Sequence, residues 1–333
     1  MKIHFDWRLA RVVDDEGNVL DEIEWDGHMG PSIIAKRLSM IQQGRNLPEV
    51  TTLSERFPDA EVDPIGAMSD PEWPDLEGSA EMFQSATEKL AKMGVADSSG
   101  DIDRRLDMLV SSAIELRACW TTSEARCVEW AGLFITEADL DGQRLDIPKA
   151  VANASAISEA AETLGVSVPK YDPSDSEWES MRSQASFVVE TSEMLEQQEG
   201  AIRDIANSHV TSLSALLGPI SAAKLVVLAG GRERLARMPS GSLQVLGAHA
   251  AMSAHRRGAP PPKHGAVLFS MPQVSRSPKW VRGKIARYLA GKASIAVRVD
   301  HFGGEPWGSE EVDRINREID SIKDKFPKPP KRG

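Results

Sequence analysis

The strongest constraint on the fold of this chain is a seven-residue repeat of apolar and small residues over 102–134. Two series alternate along it, Ile102, Leu109, Leu116, Ser123 and Trp130 in one and Leu106, Ala113, Trp120, Cys127 and Phe134 in the other. Alternating steps of four and three residues place both series on one stripe of an α-helix, which is typical of a coiled-coil seam. The repeat therefore predicts a long helix that packs against at least one other helix.

A second, weaker seam lies between residues 181 and 206. It consists of Met181, Val188, Leu195 and Ile202, with Ala185, Ser192, Glu199 and Ala206 at the other position. The intervening residues 136–178 lack the repeat and predict an irregular connection, so the two helices form a hairpin. Homodimerisation and intramolecular packing both satisfy the pattern. The candidate coiled-coil and dimer residues are Leu106, Leu109, Leu116, Trp120, Trp130 and Phe134.

Residues 1–75 predict a small α/β domain. Ile3, Phe5, Trp7 and Leu9 alternate with polar residues in strand fashion, and residues 14–18 (DDEGN) predict a turn before the next strand. Pro31 and Ser32 are start signals for a short helix over 33–40. Residues 57–77 are rich in Pro, Asp and Glu and predict an irregular edge or linker.

Beyond residue 207 the pattern predicts helices interrupted by Gly and Pro. Ser277 and Pro278 predict the N-cap and first residue of a helix that runs to about Val299, and Arg298 is expected to form an internal ion pair. The predicted fold class is α+β and mostly helical. Its modules are an N-terminal α/β domain (1–75), a coiled-coil domain (76–206), an all-helical domain (207–320) and a basic, Pro-rich tail (321–333).

Charge is divided unevenly along the chain. The net charge is −11, but residues 201–333 contain 22 basic and 10 acidic side chains, whereas residues 1–200 contain 17 and 40. Residues 246–300 concentrate the contrast, with ten Lys and Arg against the single acid Asp300. An asymmetry of this size indicates that the C-terminal part binds a polyanion and the rest does not.

Metal, disulfide and membrane signals are weak. In a helix, Cys119 and Cys127 would lie about 12 Å apart, too far for a disulfide without distortion, and both are expected to be buried small hydrophobes. No CxxC or HExxH spacing predicts a metal site. No apolar run approaches the roughly 20 residues of a membrane span, and the N-terminus lacks a secretory signal. A cytoplasmic protein without membrane, metal or cofactor is expected.

The sequence offers little for an enzyme such as a methyltransferase. Gly230-Gly231 is the nearest feature to a nucleotide loop, but it lacks the GxGxxG spacing and a preceding strand. No nucleophile–base set stands out, so no catalytic residue is predicted.

Four blocks resemble the Nop domain of archaeal box C/D proteins. They are LLGPISAAKLVVLAGGRERLARMPSGSLQVLGA (216–248), GAPPPKHG (258–265), SPKWVRGKIARYLAGKASIAVRVD (277–300) and the terminal PKPPKRG. The run ARCVEWAGLF (125–134) resembles the family's Arg-x-x-Glu-Trp segment. The resemblance is dense over 206–333, moderate over 100–206 and thin over 1–75.

The resemblance implies a non-catalytic scaffold. Its N-terminal domain would hold the methyltransferase fibrillarin, and its coiled coil would join two copies as a homodimer. Its Nop domain would bind box C/D guide RNA at a kink-turn together with a small ribosomal-type protein. The particle would then carry out guide-directed 2′-O-methylation of rRNA or tRNA. The alternative is a general Nop-domain assembly protein of another RNA–protein particle.

The candidate RNA-binding residues come from two sources. The resemblance implies Arg237, Lys263, His264, Arg282, Lys284, Arg287 and Lys292, and the basic stretch 246–300 adds Arg256, Arg257 and Lys279. The ring of His264 is a candidate for stacking on RNA or donating to it. The chain departs from the family at His249-Ala250, where archaeal relatives usually have Glu-Lys, and the following helix lacks the usual Phe and Arg. The family's contacts through this loop are therefore not predicted here.

Overall fold

The computed structural model describes residues 1–27, 30–70, 73–74 and 80–329. The chain divides into two compact units, Met1–Gly100 and Asp101–Gly333. The domain boundary predicted at residue 75 and the last four residues of the predicted tail lie outside the described residues. The predicted fold class, α+β with mostly helical structure, is confirmed.

The first unit is a four-stranded sheet covered by helices. Its elements are β1 (Lys2–Phe5), β2 (Leu9–Val13), β3 (Val19–Glu24), α1 (Pro31–Gln42), α2 (Pro48–Arg56), β4 (Glu61–Asp63), α3 (Gly66–Ser69) and α4 (Ala80–Ser98). The strand order is β3-β2-β1-β4, with β1 antiparallel to β2 and parallel to β4. The predicted turn at 14–18 and the helix announced by Pro31 are confirmed, since Pro31 is the first residue of α1.

Two details of this sheet differ from the prediction. The alternating stretch 3–9 is broken into two strands, because the Asp6 carboxylate accepts the backbone N–H groups of Arg8 (2.6 Å) and Leu9 (3.3 Å) and closes a turn. Within the segment predicted to be irregular, residues 61–63 form β4. The backbone N–H and C=O groups of β4 are satisfied by pairing with β1. Sequence composition does not reveal this pairing.

Helix α4 packs against α1 within the first unit. Ala86 of α4 is fully buried in a small cluster with Trp7 and Ile34. The structure therefore groups residues 80–98 with the sheet, whereas the sequence pattern placed them at the start of the coiled-coil module.

In the second unit, the helices and strands of the described residues are all helices, joined by turns and loops. Its helices are α5 (Ile102–Phe134), α6 (Asp146–Asn153), α7 (Ile157–Thr163), α8 (Asp175–His209), α9 (Thr211–Leu217), α10 (Pro219–Ala229), α11 (Arg232–Arg237), α12 (Ser240–Gln244), α13 (His249–Arg256), α14 (Ala266–Ser270), α15 (Pro272–Ser275), α16 (Arg282–Phe302) and α17 (Ser309–Lys325).

Helices α5 and α8 form the predicted hairpin, and α5 has the bounds of the seven-residue repeat. Asp101 caps α5, and Ser174 with Glu177 forms a capping box on α8. The seam is filled within the chain. Leu106 is buried and Leu109 is partly buried in the core that the hairpin shares with the C-terminal helices, and Leu116 is half-buried. At the other end of the hairpin, which we call the far end, a second core (the far core) is packed by the last three predicted coil residues, Trp120, Trp130 and Phe134.

The connection between the two hairpin helices is more ordered than predicted. It contains α6 and α7, whose apolar side chains, such as Ile147 and Ile157, are buried with Cys127 in the far core. These helices have eight and seven residues, too few for a periodic signal to stand out. The prediction that both cysteines are buried is wrong for Cys119, which is exposed.

Helix α16 is the central helix of the C-terminal half, and α9, α11, α12, α14, α15 and α17 pack around it. It begins at Arg282 rather than Pro278, because residues 278–281 form a turn and the Ser277 hydroxyl donates back to the Gln273 carbonyl (2.7 Å). It ends at Gly303, whose positive φ of 83° closes the helix.

The ion pair expected for Arg298 is wrong. Its guanidinium Nε donates to the Ala236 carbonyl (3.0 Å), at the end of α11. Asp300 instead accepts the backbone N–H groups of Ser212 (2.8 Å) and Leu213 (3.0 Å) at the start of α9. Both side chains therefore tie α16 to neighbouring short helices through backbone groups.

Within the described part of the chain, no single helix is long and apolar enough to cross a membrane. Helices α9 and α10 pass that test only when joined, and they are bent by 119° at Gly218. Their apolar side chains Leu213, Leu217 and Leu225 are buried in the core of the second unit.

Candidate nucleic-acid interface

Helix α16 positions the central basic side chains. Ile285, Leu289 and Ala293 are buried, which fixes the opposite side of the helix toward solvent. Lys284 and Arg287 lie on that solvent side and are exposed. A helix packed from several directions is a rigid support for these exposed side chains.

The turn at Lys263 is held against α12 and α16. The Gln244 side-chain amide donates to the Lys263 carbonyl (2.6 Å), and the Gly265 N–H donates to the Gln244 carbonyl (2.7 Å). A Cβ at Gly265 would collide with the Leu246 carbonyl oxygen, so only glycine allows this approach.

Lys263 also lies directly beside α16. A Cβ built on Gly283 would meet the Cβ and Cδ atoms of Lys263 at 3.6 Å, so its aliphatic stem follows the helix surface. Arg287 lies one helical turn beyond Gly283 and therefore on the same side of α16. The three cations of Lys263, Lys284 and Arg287 thus share one surface. We call these three residues the basic face.

His264 stacks within the protein. Its ring lies 4.7 Å from that of Phe269 with an interplanar angle of 12°. Burial, followed by the charges of Arg282 and Lys263, lowers the pKa of His264 below its ordinary value. The imidazole is therefore neutral at pH 7, and one of its faces is already covered.

Arg282 is directed inward although it belongs to the same predicted set. Its Nε and one terminal nitrogen each donate at 2.7 Å, to the Ser277 and Ser275 carbonyls. Its guanidinium carbon also lies 5.6 Å from the Phe269 ring centroid. These contacts make Arg282 a clamp that ties α15 to α16 and supports the His264 stack.

Lys284 contacts a residue that the sequence patterns did not single out. Its Nζ lies 4.2 Å from the ring centroid of Phe326, just after α17. Trp280 Nε1 donates to the Phe326 carbonyl (2.9 Å). No described side chain is seen to pair with Arg287 or Lys279, and both are exposed.

Besides His264, Lys279 and Arg282, four more of the predicted RNA-binding residues lie outside the basic face. Arg237 pairs with Glu233 (2.8 Å). The carbonyl of its neighbour Ala236 accepts from Arg298, and Arg298 lies about 16 Å along α16 from Arg287. Lys292 lies on the flank of α16, 5.7 Å from the Tyr288 ring. Arg256 and Arg257 are exposed at the end of α13, a helix with no buried residue.

The residues that the sequence analysis missed are supporting ones: Gln244, Gly265, Phe269, Trp280, Gly283 and Phe326. A glycine inside a basic helix was the one available signal, because Gly283 weakens the helix and so indicates a close approach. Among the described residues, no group of three or more His, Cys, Asp or Glu side chains could hold a metal ion.

Fold and surface together define a mostly helical protein with an exposed basic face on a packed helical unit. A family model described as "Nop: snoRNA binding domain, fibrillarin" matches residues 126–321, a segment that contains this whole face. The chain belongs to the Nop family.

Relatives of the chain agree with this assignment. An uncharacterised NOP5 family protein of Methanocaldococcus jannaschii is 31% identical over 247 residues, which cover 71% of this chain and 57% of that protein. Nucleolar protein 56 of Caenorhabditis elegans is 36% identical over 152 residues, covering 45% of this chain and 30% of that protein. The chain thus spans little more than half of the archaeal relative and under a third of the nucleolar one.

One solved structure is also similar, a chain from the crystal structure of a fibrillarin/Nop5p complex. It aligns with a TM-score of 0.43 and 19% sequence identity, covering 91% of this chain and 96% of that chain.

Proposed function

We propose that this protein is a non-catalytic scaffold of box C/D RNA–protein particles. It binds kink-turn RNA together with a small ribosomal-type protein and recruits fibrillarin for guide-directed 2′-O-methylation of rRNA or tRNA. The observation that carries the proposal is the basic face, built on a rigid helix inside the segment that matches the Nop family.

The chemistry of the face suits structured RNA. A-form grooves hide their base edges from side chains, so a kink-turn is recognised mainly through its shape and backbone. Lys263, Lys284 and Arg287 present three cations on one surface, which suits phosphates rather than bases. Arg282, Gln244 and Gly265 act indirectly by holding the turn and the helix together.

The remaining predicted contacts form a wider set. Arg237, Arg256, Arg257, Lys279 and Lys292 are at the edges of the face or beyond it. We assign them to secondary contacts with RNA or the ribosomal-type protein, with smaller individual effects. The family's description names fibrillarin, and we assign that partner to the first unit, by resemblance of domain order alone.

A homodimer is part of the proposal, although the coil seam is filled within one chain. A second copy would cover apolar side chains that the hairpin leaves exposed, such as Leu133 (74% exposed) and Met194 (44%). Leu133→Lys should reduce the molar mass in light scattering from that of a dimer to that of a monomer. A wild-type monomer at micromolar concentration would contradict this part.

The RNA-binding test targets the basic face directly. Lys263→Glu with Arg287→Glu should weaken binding to a kink-turn RNA, measured with the ribosomal-type protein present, by at least a hundredfold. Both substitutions leave Lys284 on Phe326 and leave the core unchanged. The control Arg126→Glu with Arg182→Glu reverses two exposed charges near the far end of the hairpin. Equal affinity of the face and control variants would overturn the proposed face.

Pull-down with RNA sequencing separates this function from that of another particle. Recovery of fibrillarin and box C/D guide RNAs supports the methylation scaffold, whereas recovery of a different RNA class supports the general Nop-domain alternative. Binding of S-adenosylmethionine by the isolated protein would contradict the scaffold role, because the methyl donor belongs to fibrillarin in this proposal.

A further inference from the structure

Two aromatic side chains meet at the surface beside the basic face. Trp280 lies in the turn that precedes α16, and Phe326 is the first residue after α17. Trp280 Nε1 donates to the Phe326 carbonyl (2.9 Å), and Lys284 Nζ lies 4.2 Å from the Phe326 ring centroid. Because Lys284 belongs to the basic face, the two rings border directly on that face. We call Trp280 and Phe326 the aromatic pair.

The aromatic pair does not serve the hydrophobic core. The Trp280 side chain is 38% exposed and that of Phe326 is 40% exposed. Neither is among the described side chains that form a core or pack against one. The one polar atom of the Trp280 side chain is satisfied by the Phe326 carbonyl, so both residues present apolar ring surface to solvent. Such surface gains free energy when a binding partner covers it.

The backbone holds both rings in place. Val281, next to Trp280, is fully buried, and so is Ile319, seven residues before Phe326. The Phe326 N–H donates to the Lys323 carbonyl (3.1 Å) at the end of α17. Each ring is therefore carried by a segment that is fixed in the core, and binding costs little ordering of the chain.

The charges around the aromatic pair indicate what covers it. Lys279, immediately before Trp280, is exposed. Lys284 lies over the other ring, and Asp324 is the single acid within four sequence positions of either ring. A nucleotide combines a flat base with a phosphate and so fits rings bordered by cations. An apolar protein surface would cover the rings but would desolvate the neighbouring ammonium groups without a compensating charge.

We propose that the aromatic pair is a stacking site for unpaired bases of the RNA that the basic face binds. This inference rests on the proposed function and adds base contacts to its phosphate contacts. Bulges and ends of a folded RNA offer unpaired bases, which stack on aromatic side chains. Lys284 approaches Phe326 from one face of the ring, and the base stacks on the other. The Lys284 ammonium has further N–H groups to donate to an adjoining phosphate.

The experiment measures kink-turn RNA affinity of the full chain across salt concentrations, with the ribosomal-type protein present. Phe326→Leu and Trp280→Leu remove a ring but keep an apolar side chain, and each should weaken binding by about tenfold. The slope of log affinity against log salt should not change, because no phosphate contact is lost, whereas Arg287→Gln should lower it by about one. Phe326→Tyr retains the ring and should bind like wild type.

The matched control is a second exposed aromatic residue with a cation over its ring. Tyr171 is 69% exposed, and Lys170 Nζ lies 5.1 Å from its ring centroid. It lies in the connection between α7 and α8, outside the basic face. Tyr171→Leu should therefore leave both the affinity and the salt slope unchanged.

Abasic RNAs identify the group that stacks. Each unpaired nucleotide of the RNA is made abasic in turn, and one of these RNAs should bind the wild-type and Phe326→Leu chains equally. A difference that persists with every abasic RNA would overturn the inference, since the ring would then contact the ribosomal-type protein. It is also overturned if Phe326→Leu keeps wild-type affinity, or if it lowers the salt slope as Arg287→Gln does. If the wild-type chain itself fails to bind the RNA, the proposed function fails instead, which is a separate result.

Discussion

At the scale of single residues, identical side chains have different tasks according to what surrounds them. Arg282 and Arg287 are five positions apart on one helix, yet Arg282 donates to two carbonyls and Arg287 is exposed. A basic residue type predicts affinity for phosphate, but carbonyls at the end of a neighbouring short helix compete for the same donors.

The stacked histidine makes the free energy of unfolding depend on pH. Burial and the nearby cations lower the pKa of His264 below 6.5 in the folded protein, so the unfolded chain binds that proton more tightly. The contribution of His264 to the free energy of unfolding is therefore fully present above its unfolded-state pKa. That contribution is lost as the pH falls from there toward the folded-state pKa. We expect His264→Phe, which keeps a stacked ring without a titrating group, to flatten this dependence.

Urea denaturation at pH 7.5 and 5.5 checks the expectation. His249→Gln is the control, since His249 is exposed at the start of α13. An equally steep loss of stability in the His264→Phe variant would show that other groups cause it.

The two cysteines should differ in reactivity. Cys119 is exposed, whereas Cys127 is buried, and burial with the nearby Glu124 carboxylate raises the pKa of Cys127 to about 11. Because the thiolate is the reactive form, a thiol reagent at pH 8 should modify Cys119 alone in the folded protein. Mass spectrometry of the modified peptides measures this, and both thiols should react in 6 M guanidinium chloride.

At the scale of elements, one carboxylate joins three helices of the second unit. Asp103 at the start of α5 accepts from His209 Nε2 (2.7 Å) at the end of α8 and from the Arg232 N–H (2.8 Å) at the start of α11. Burial opposes ionisation of this carboxyl, but the hydrogen bonds from His209 and Arg232 outweigh it and lower the pKa of Asp103.

Breaking this junction should destabilise the second unit. Asp103→Asn removes a charged acceptor of two hydrogen bonds, and we expect a loss of about 1–3 kcal/mol in the free energy of unfolding. Since the folded-state pKa is depressed, the difference from wild type should be present at neutral pH and shrink as the pH falls through that pKa. Chemical denaturation measures both, with Glu115→Gln on the exposed side of α5 as the control.

Prediction from sequence succeeded for the long helix with many repeats and failed for several of the shortest elements. Helix α5 has 33 residues, so the seam signal accumulates over its length. Strand β4 has three residues and helix α7 has seven, and their formation depends on partners far away in the sequence. The start of α16 was placed four residues too early because Ser277 and Pro278 suit a helix start, but the Ser277 hydroxyl bonds to Gln273 instead.

At the scale of the whole molecule, the two units differ in charge. Residues 1–100 contain 9 basic and 20 acidic side chains, so they repel a polyanion. Residues 101–333 form a compact unit with its own two cores. We therefore expect residues 101–333 alone to fold and to bind kink-turn RNA, with faster association than the full chain at low salt.

Stopped-flow binding at several salt concentrations measures this rate. The difference between the two chains should vanish above roughly 0.5 M salt, where long-range electrostatic interactions are screened. The same fragment should no longer retain fibrillarin if the first unit provides that contact. Loss of RNA binding in a folded fragment would show that residues 1–100 contribute to the RNA surface.

The sequence by itself determined the long hairpin, the division of charge and the family, because these are properties of repetition and composition along the chain. Tertiary structure decided whether the apolar seam would be filled by the same chain, and it was filled by α8. It also decided which cations form the basic face. A side chain's partners depend on which carbonyls and rings the fold brings near it, as Arg282 at the Ser275 carbonyl and Lys284 at Phe326 show. No local sequence pattern encodes a contact such as that of Lys284 with Phe326, which lies on the far side of helix α17 in the sequence.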